Sequence, residues 1–130
     1  MHDGIQNHKL TPCIYASESR ALALLKYTAN VNIDNIPRAL SITTFEIDPA
    51  YIFDLPINAL PGDWKIAPAP ASAKDFGTVL LRKADYGIFK IPSAIMEDEF
   101  NYLLNPLFRK ATTYAIQSIR DFIYDERLKL

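Results

Sequence analysis

Short apolar blocks, each closed by a polar or proline-bearing break, run along this chain from Pro12 onward. Pro12-Cys13-Ile14-Tyr15-Ala16 is rich in strand formers and predicts a buried strand. Ser17 is placed to cap the helix that follows, because a hydroxyl can accept a free first-turn amide. From Glu18 to about Asn30 the spacing is helical. Ala21, Leu22, Leu24, Leu25, Ala29 and Val31 share one half of the wheel, Arg20, Tyr27 and Asn30 the other, and Lys26 lies at the margin beside Leu22. Asn30 to Pro37 reads as a loop. Ala39 to Ile47 and Tyr51 to Leu55 read as strands around an Asp48-Pro49 turn. Prolines at 56, 61, 68 and 70 predict a long extended surface loop, since proline offers no ladder amide. Ser72 then caps a second helix marked by Phe76, Val79, Leu80 and Ala84. Ile88–Ile91 and Ala94–Met96 predict short strands around Pro92-Ser93. The acidic Glu97-Asp98-Glu99 leads into Phe100–Leu104, which an Asn105-Pro106 break closes. Tyr114 to Tyr124 is the longest strand candidate, and its imperfect alternation predicts partial cover on both faces. Mixed strands with two sizeable helices give an α+β reading.

At 130 residues the chain has room for one domain, spanning 1–130, with a weakly patterned stretch over 1–11. Fourteen Lys and Arg against fifteen Asp and Glu give a net charge of -1. That balance excludes the concentrated basic field that nucleic acid or an anionic membrane would need. The longest apolar run, Ala21–Leu25, is far too short to span a bilayer. A start without a basic flank and apolar stretch is no secretory signal, so a cytoplasmic location is expected.

Few residues carry obvious chemistry. Glycines at 4, 62, 77 and 87 form no phosphate-cradling loop. His2 and His8 lack a metal-ligand spacing, and no metal is expected. Cys13, the single cysteine, could pair with His8 as a nucleophile, but inside an apolar strand it reads as a small core residue. The acidic run could hold a cation and reads more simply as a solvated turn or a helix start.

Five stretches in order resemble the RES family. Cys13 to Leu25 is similar to its tyrosine strand and first helix, and Leu60-Pro61-Gly62-Asp63-Trp64 to its Leu-Pro-x-x-Trp. Ile91 to Ile95 resembles the Pro-Ser-Ala segment, Asn101 to Pro106 the Asn-Tyr-Leu-x-Asn-Pro box, and Tyr124 to Leu128 the closing Asp-x-Arg. The resemblance covers about residues 7 to 130. It implies a fold like the ADP-ribosyltransferases, with a mixed or antiparallel sheet flanked by helices. It also implies the toxin half of a bacterial toxin–antitoxin pair with an Xre-type partner, and cleavage of the nicotinamide–ribose bond with NAD as substrate. Ser93 would be the family serine, and Tyr15, Ser93 and Asn101 would contact the dinucleotide. From the residues alone, Tyr15 reads equally as core, Ser93 as a turn residue, and Asn101 as a tie for loop backbone.

The chain departs from the family at the charged positions. Eleven residues after Tyr15, where the resemblance puts the catalytic glutamate, stands Lys26. Aligned on Asn7 and Tyr15, Ile5 stands at an arginine, Gln6 at a tryptophan and Leu10 at a glycine, and the family's first strand has no counterpart. By itself Lys26 reads as a solvated residue whose stem covers apolar surface. The expectation is a shortened, degenerate RES domain. It is either an NAD-degrading toxin of doubtful competence or an inactive pseudoenzyme that binds an antitoxin, a RES partner or itself as a homodimer.

Overall fold

A computed structural model describes residues 13–32, 34, 39–62, 64–65, 71–83, 85–108 and 113–129. The expectations at His2, Gly4, Ile5, Gln6, His8, Leu10, Pro12, Pro68, Pro70 and Ala84 lie outside these residues. The elements run β1 (Ile14–Ser17), α1 (Arg20–Asn30), β2 (Ala39–Ile47), β3 (Ile52–Asp54), α2 (Ala71–Lys83), β4 (Ile88–Pro92), β5 (Phe100–Leu104) and β6 (Tyr114–Ile123). The fold is therefore mixed α+β, as the pattern of elements predicts. Two sheets form. One has the order β1-β5-β4-β3, and the other pairs β2 with β6.

β5 is antiparallel to both of its neighbours, with Leu103 opposite Tyr15 on one side and Phe89 on the other. β3 runs parallel to β4, so the chain must cross over between them, and α2 lies in that crossover. Its Leu81 joins Leu55, Leu60, Trp64, Phe89, Ile91 and Leu103 in the main core cluster. The proline-rich stretch thus does more than run over the surface, because it delivers Leu60 and Trp64 to the interior.

Several local expectations are corrected. Ser19, not Ser17, caps α1, its Oγ accepting from the Leu22 amide at 3.1 Å. Ser17 is instead the last residue of β1, where its hydroxyl donates to Asn101 Oδ1 at 3.0 Å. β1 is half-buried rather than buried. Ser72 lies inside α2, which begins at Ala71. Ala94–Met96 is not a strand. Ser93 Oγ accepts from the amides of both Ile95 and Met96 at 3.1 Å, which turns the chain and removes those donors from any ladder. The turn continues through Asp98, whose φ of 64° is left-handed. Along β6 only Tyr114 and Phe122 are half-buried, so the cover predicted for both faces is largely missing among the described residues.

Asn105 ends β5 and is 1% exposed. Its side-chain amide donates to the Leu81 carbonyl at 3.0 Å and its Oδ1 accepts from the Leu107 amide at 3.1 Å, tying α2 to the turn after β5. Replacing it with alanine leaves buried backbone groups unpaired, which costs about 1–3 kcal/mol for each group so orphaned. Asn105→Ala should therefore lower the unfolding free energy by about 2–3 kcal/mol, read from the midpoint of a urea titration at unchanged slope.

Candidate functional site

The ladder between β1 and β5 sets the site. Its last rungs, Ala16 opposite Tyr102 and Ser17 opposite Asn101, are continued by Glu18. The Glu18 amide donates to the Phe100 carbonyl at 3.0 Å, and its carboxylate accepts from the Phe100 amide. This two-way clamp fixes where α1 begins. The helix then leaves along one side of a cleft of about 1280 Å³, whose opposite side is β2. Tyr15, Ser17 and Glu18 line the strand end, Arg20, Lys26 and Tyr27 the helix, and Ser41, Thr43 and Phe45 the facing strand. Tyr102 closes the floor beside β1. The size exceeds the range of roughly 300–1,000 Å³ that suits drug-sized ligands, so a dinucleotide has room.

Two of the four sequence-predicted site residues meet here. The Lys26 ammonium stands 5.6 Å from the centre of the Tyr15 ring, within the reach of a cation–π contact. Asn101 does not line the cleft but holds Ser17, which does. Ser93 lies elsewhere. It is 5% exposed, its hydroxyl is engaged by the turn it builds, and it does not border the cleft.

Among the described residues that line the cleft, the charged side chains are one acid, Glu18, and two bases, Arg20 and Lys26. Cys13 lies just behind the cleft. Burial pushes its thiol from the usual value near 9 up to about 12, and a hydrogen bond with Tyr15 and the nearby Lys26 charge oppose that shift only in part. A protonated thiol is a poor nucleophile, so Cys13 acts as a packing residue against the main core. Among the described residues no three His, Cys, Asp or Glu side chains converge on a metal position. No helix described is long and apolar enough to cross a membrane.

Tyr27 corrects the helical wheel. It falls on the polar half, yet its ring packs edge-on against Tyr124 at 5.5 Å and its hydroxyl is buried without a hydrogen-bond partner. Tyr124 is held in turn by Thr28, hydroxyl to hydroxyl at 2.9 Å. The sequence offers no local signal for this pair, nor for the β2 wall, because both depend on chain far from α1. Glu18 and Arg20 flank the Ser19 cap within the Cys13–Leu25 motif, and the sequence reading assigns neither of them a site role.

The RES domain family matches residues 2–125, beginning a few residues before the motifs do. The chain is also similar to Toxin Res of Yersinia enterocolitica serotype O:8 / biotype 1B, at 30% identity over 130 residues, covering 98% of this chain and 85% of that toxin. It shares 29% identity over 119 residues with Toxin Res of Pseudomonas putida, covering 90% of this chain and 79% of that protein. The Prs ADP-ribosylating toxin of Sphingobium sp. is 26% identical over 118 residues, covering 88% and 73% respectively. The chain belongs to the RES domain family.

Two outcomes follow from the buried groups beside the cleft. Tyr27→Phe removes an unpaired buried hydroxyl and should raise stability by about 1 kcal/mol in a denaturant titration. Cys13 makes stability pH-dependent. Above pH 9 the unfolded thiol ionises while the folded one holds its proton, so the unfolded state gains and stability falls as pH rises toward about 12. Unfolding midpoints of the wild type and Cys13→Ala should diverge across that window, with the wild type falling faster.

Proposed function

We propose that this RES domain keeps an ADP-ribosyltransferase-like cleft that holds a nicotinamide dinucleotide but has lost the ability to cleave it, and that it acts by binding. The observation that carries this reading is the Lys26 ammonium lining the cleft over Tyr15, eleven residues along from that tyrosine. Breaking the nicotinamide–ribose bond builds positive charge on the sugar, as glycosidic cleavage does. A carboxylate nearby stabilises that charge by about 4 kcal/mol at roughly 4 Å and an effective dielectric near 20. An ammonium in its place opposes the charge instead. The swing approaches about 8 kcal/mol as an upper figure, or roughly a 10⁶-fold loss in rate.

The rest of the cleft suits a bound dinucleotide. Arg20 can meet a diphosphate with its planar fork of donors, and Tyr15, Tyr27, Phe45 and Tyr102 offer aromatic surface to bases. Its binding partners would be an Xre-type antitoxin or a second copy of the chain. Ile116, Ile119 and Ile123 on β6 are 59%, 62% and 74% exposed and supply apolar surface for such a contact.

One feature favours a second reading, residual turnover. Glu18 is a carboxylate in the same cleft. Against it, the Phe100 amide already engages that carboxylate, and Glu18 belongs to the clamp that starts α1.

Incubation of the purified chain with NAD should release no nicotinamide above background by chromatography. Lys26→Glu should raise release by several orders of magnitude if the missing anion is the only defect. Turnover in the wild type that is lost in Glu18→Gln would reverse the conclusion in favour of the second reading.

A further inference from the structure

We propose that Tyr124 is a latch: it pins the far end of the β2–β6 ribbon to α1, and the cleft opens when that end is released and the ribbon bends at a hinge within it. The inference concerns the walls of the cleft and holds whatever ligand the cleft takes.

The ribbon is rooted at its other end. The Asp48 amide, just past β2, donates to the Thr113 carbonyl, just before β6, at 2.9 Å. Thr113 is buried, and with Phe108 it stands so close to Gly87 that a side chain on that glycine would have no room. Gly87 immediately precedes β4, and the Tyr51 ring lies against Phe108 at 5.7 Å, so this end is packed onto the start of β4. A short way from the root the ladder is irregular. Thr44 is opposite Ser118 and Phe45 is opposite Ile116, which leaves Gln117 as an extra residue in β6. An extra residue interrupts the ladder and bends the strand, which makes this the place for the ribbon to flex.

Beyond the bulge runs an arm, Ala39–Thr44 paired with Ser118–Ile123. Residues 115–121 of β6 are exposed in unbroken succession. Successive strand residues point to opposite faces, so β6 is bare on both. On the β2 side of the arm Leu40, Ile42 and Thr44 are half-buried and none is buried. An arm with so little cover along its length depends on what holds its end.

Tyr124 holds that end. It follows Ile123, which is opposite Ala39 at the start of β2. It is 1% exposed. Its ring packs edge-on against Tyr27 at 5.5 Å and its hydroxyl meets Thr28 Oγ1 at 2.9 Å, both on α1. Thr28 gives its own hydroxyl proton to the Leu24 carbonyl at 2.8 Å, so Tyr124 is the donor to Thr28. Tyr27 lines the cleft from α1, and Ser41 and Thr43 of the arm line it from the other side. The latch thus joins the two walls directly. One net hydrogen bond and one ring contact are small beside the stability of a whole domain, so they can break without unfolding the core.

Native-state amide hydrogen exchange of the full chain tests this with three variants. Tyr124→Phe keeps the ring and loses the hydroxyl, Thr28→Val keeps the shape and loses the acceptor, and Thr28→Ser keeps the acceptor. Tyr124→Phe should speed exchange in the arm, residues 39–44 and 118–123, by roughly five- to tenfold, while β4 and β5 exchange as in the wild type. Thr28→Val should do at least as much, Thr28→Ser should stay near the wild-type rate, and the double variant Tyr124→Phe/Thr28→Val should be no faster than Thr28→Val alone. Nitroxide labels on Ala23→Cys and Thr43→Cys, in a Cys13→Ala background, report the span of the cleft. Their distance distribution should be narrow with Tyr124 in place, and broader and longer in Tyr124→Phe. Arm exchange unchanged in both Tyr124→Phe and Thr28→Val would overturn the latch. So would an equal acceleration in β4 and β5, which would make Tyr124 a contributor to global stability alone. An unchanged label distance alongside faster arm exchange would overturn the opening of the cleft.

Discussion

The antiparallel ladder between β1 and β5 is the constraint on which the rest of the molecule depends. It carries Tyr15 to the cleft, it sets Ser17 against Asn101, and its extension through Glu18 and Phe100 fixes the first turn of α1. A helix whose start is fixed presents its side chains at fixed heights. Lys26 faces Tyr15 because Ser19 caps the helix where it does. The same β5 pairs on its other side with β4, so the wall of the cleft and the main core share one strand.

The electrostatics of the cleft follow from that placement. Among the described lining residues its acid, Glu18, is engaged by a backbone amide, its bases are Arg20 and Lys26, and burial raises the nearby Cys13 thiol. Among the described residues no group there is poised as an anionic nucleophile. In the reading proposed above the arrangement holds a phosphorylated ligand rather than rearranging one, because attraction to an anion needs only a fixed positive field.

The helical periods of α1 and α2, and the β-branched run of β2, were legible because they depend on neighbours in the chain. What was not legible depends on partners far away. Ser17 and Ser19 are equally good caps by composition, and Asn101 decides between them by drawing Ser17 into the ladder. Tyr27 sits on the polar side of its helix until Tyr124 arrives to cover it. Ala94–Met96 has strand-like composition, but Ser93 takes two of its amides. The family motifs were readable for a related reason. Trp64, Ser93 and Asn105 are buried and held by the core or by backbone bonds, so they encode the fold more than the chemistry. Of the candidate site, Tyr15 and Lys26 came from a single motif on adjacent elements, while the β2 wall could not be inferred from local pattern at all.

The β1 end of the cleft and its β2 wall are strands whose partners lie far along the chain. β1 pairs with residues 101–104, and β2 with residues 114–123. Contacts of such high sequence separation form slowly, since the loop between them must close before the pairing returns any stability. The consequence concerns the nascent protein. Until residues 114–123 have left the ribosome, β2 has no strand to pair with and α1 has no completed strand wall opposite it. Emergence of β6 is the event that gives β2 its pairing partner and completes that wall of the cleft.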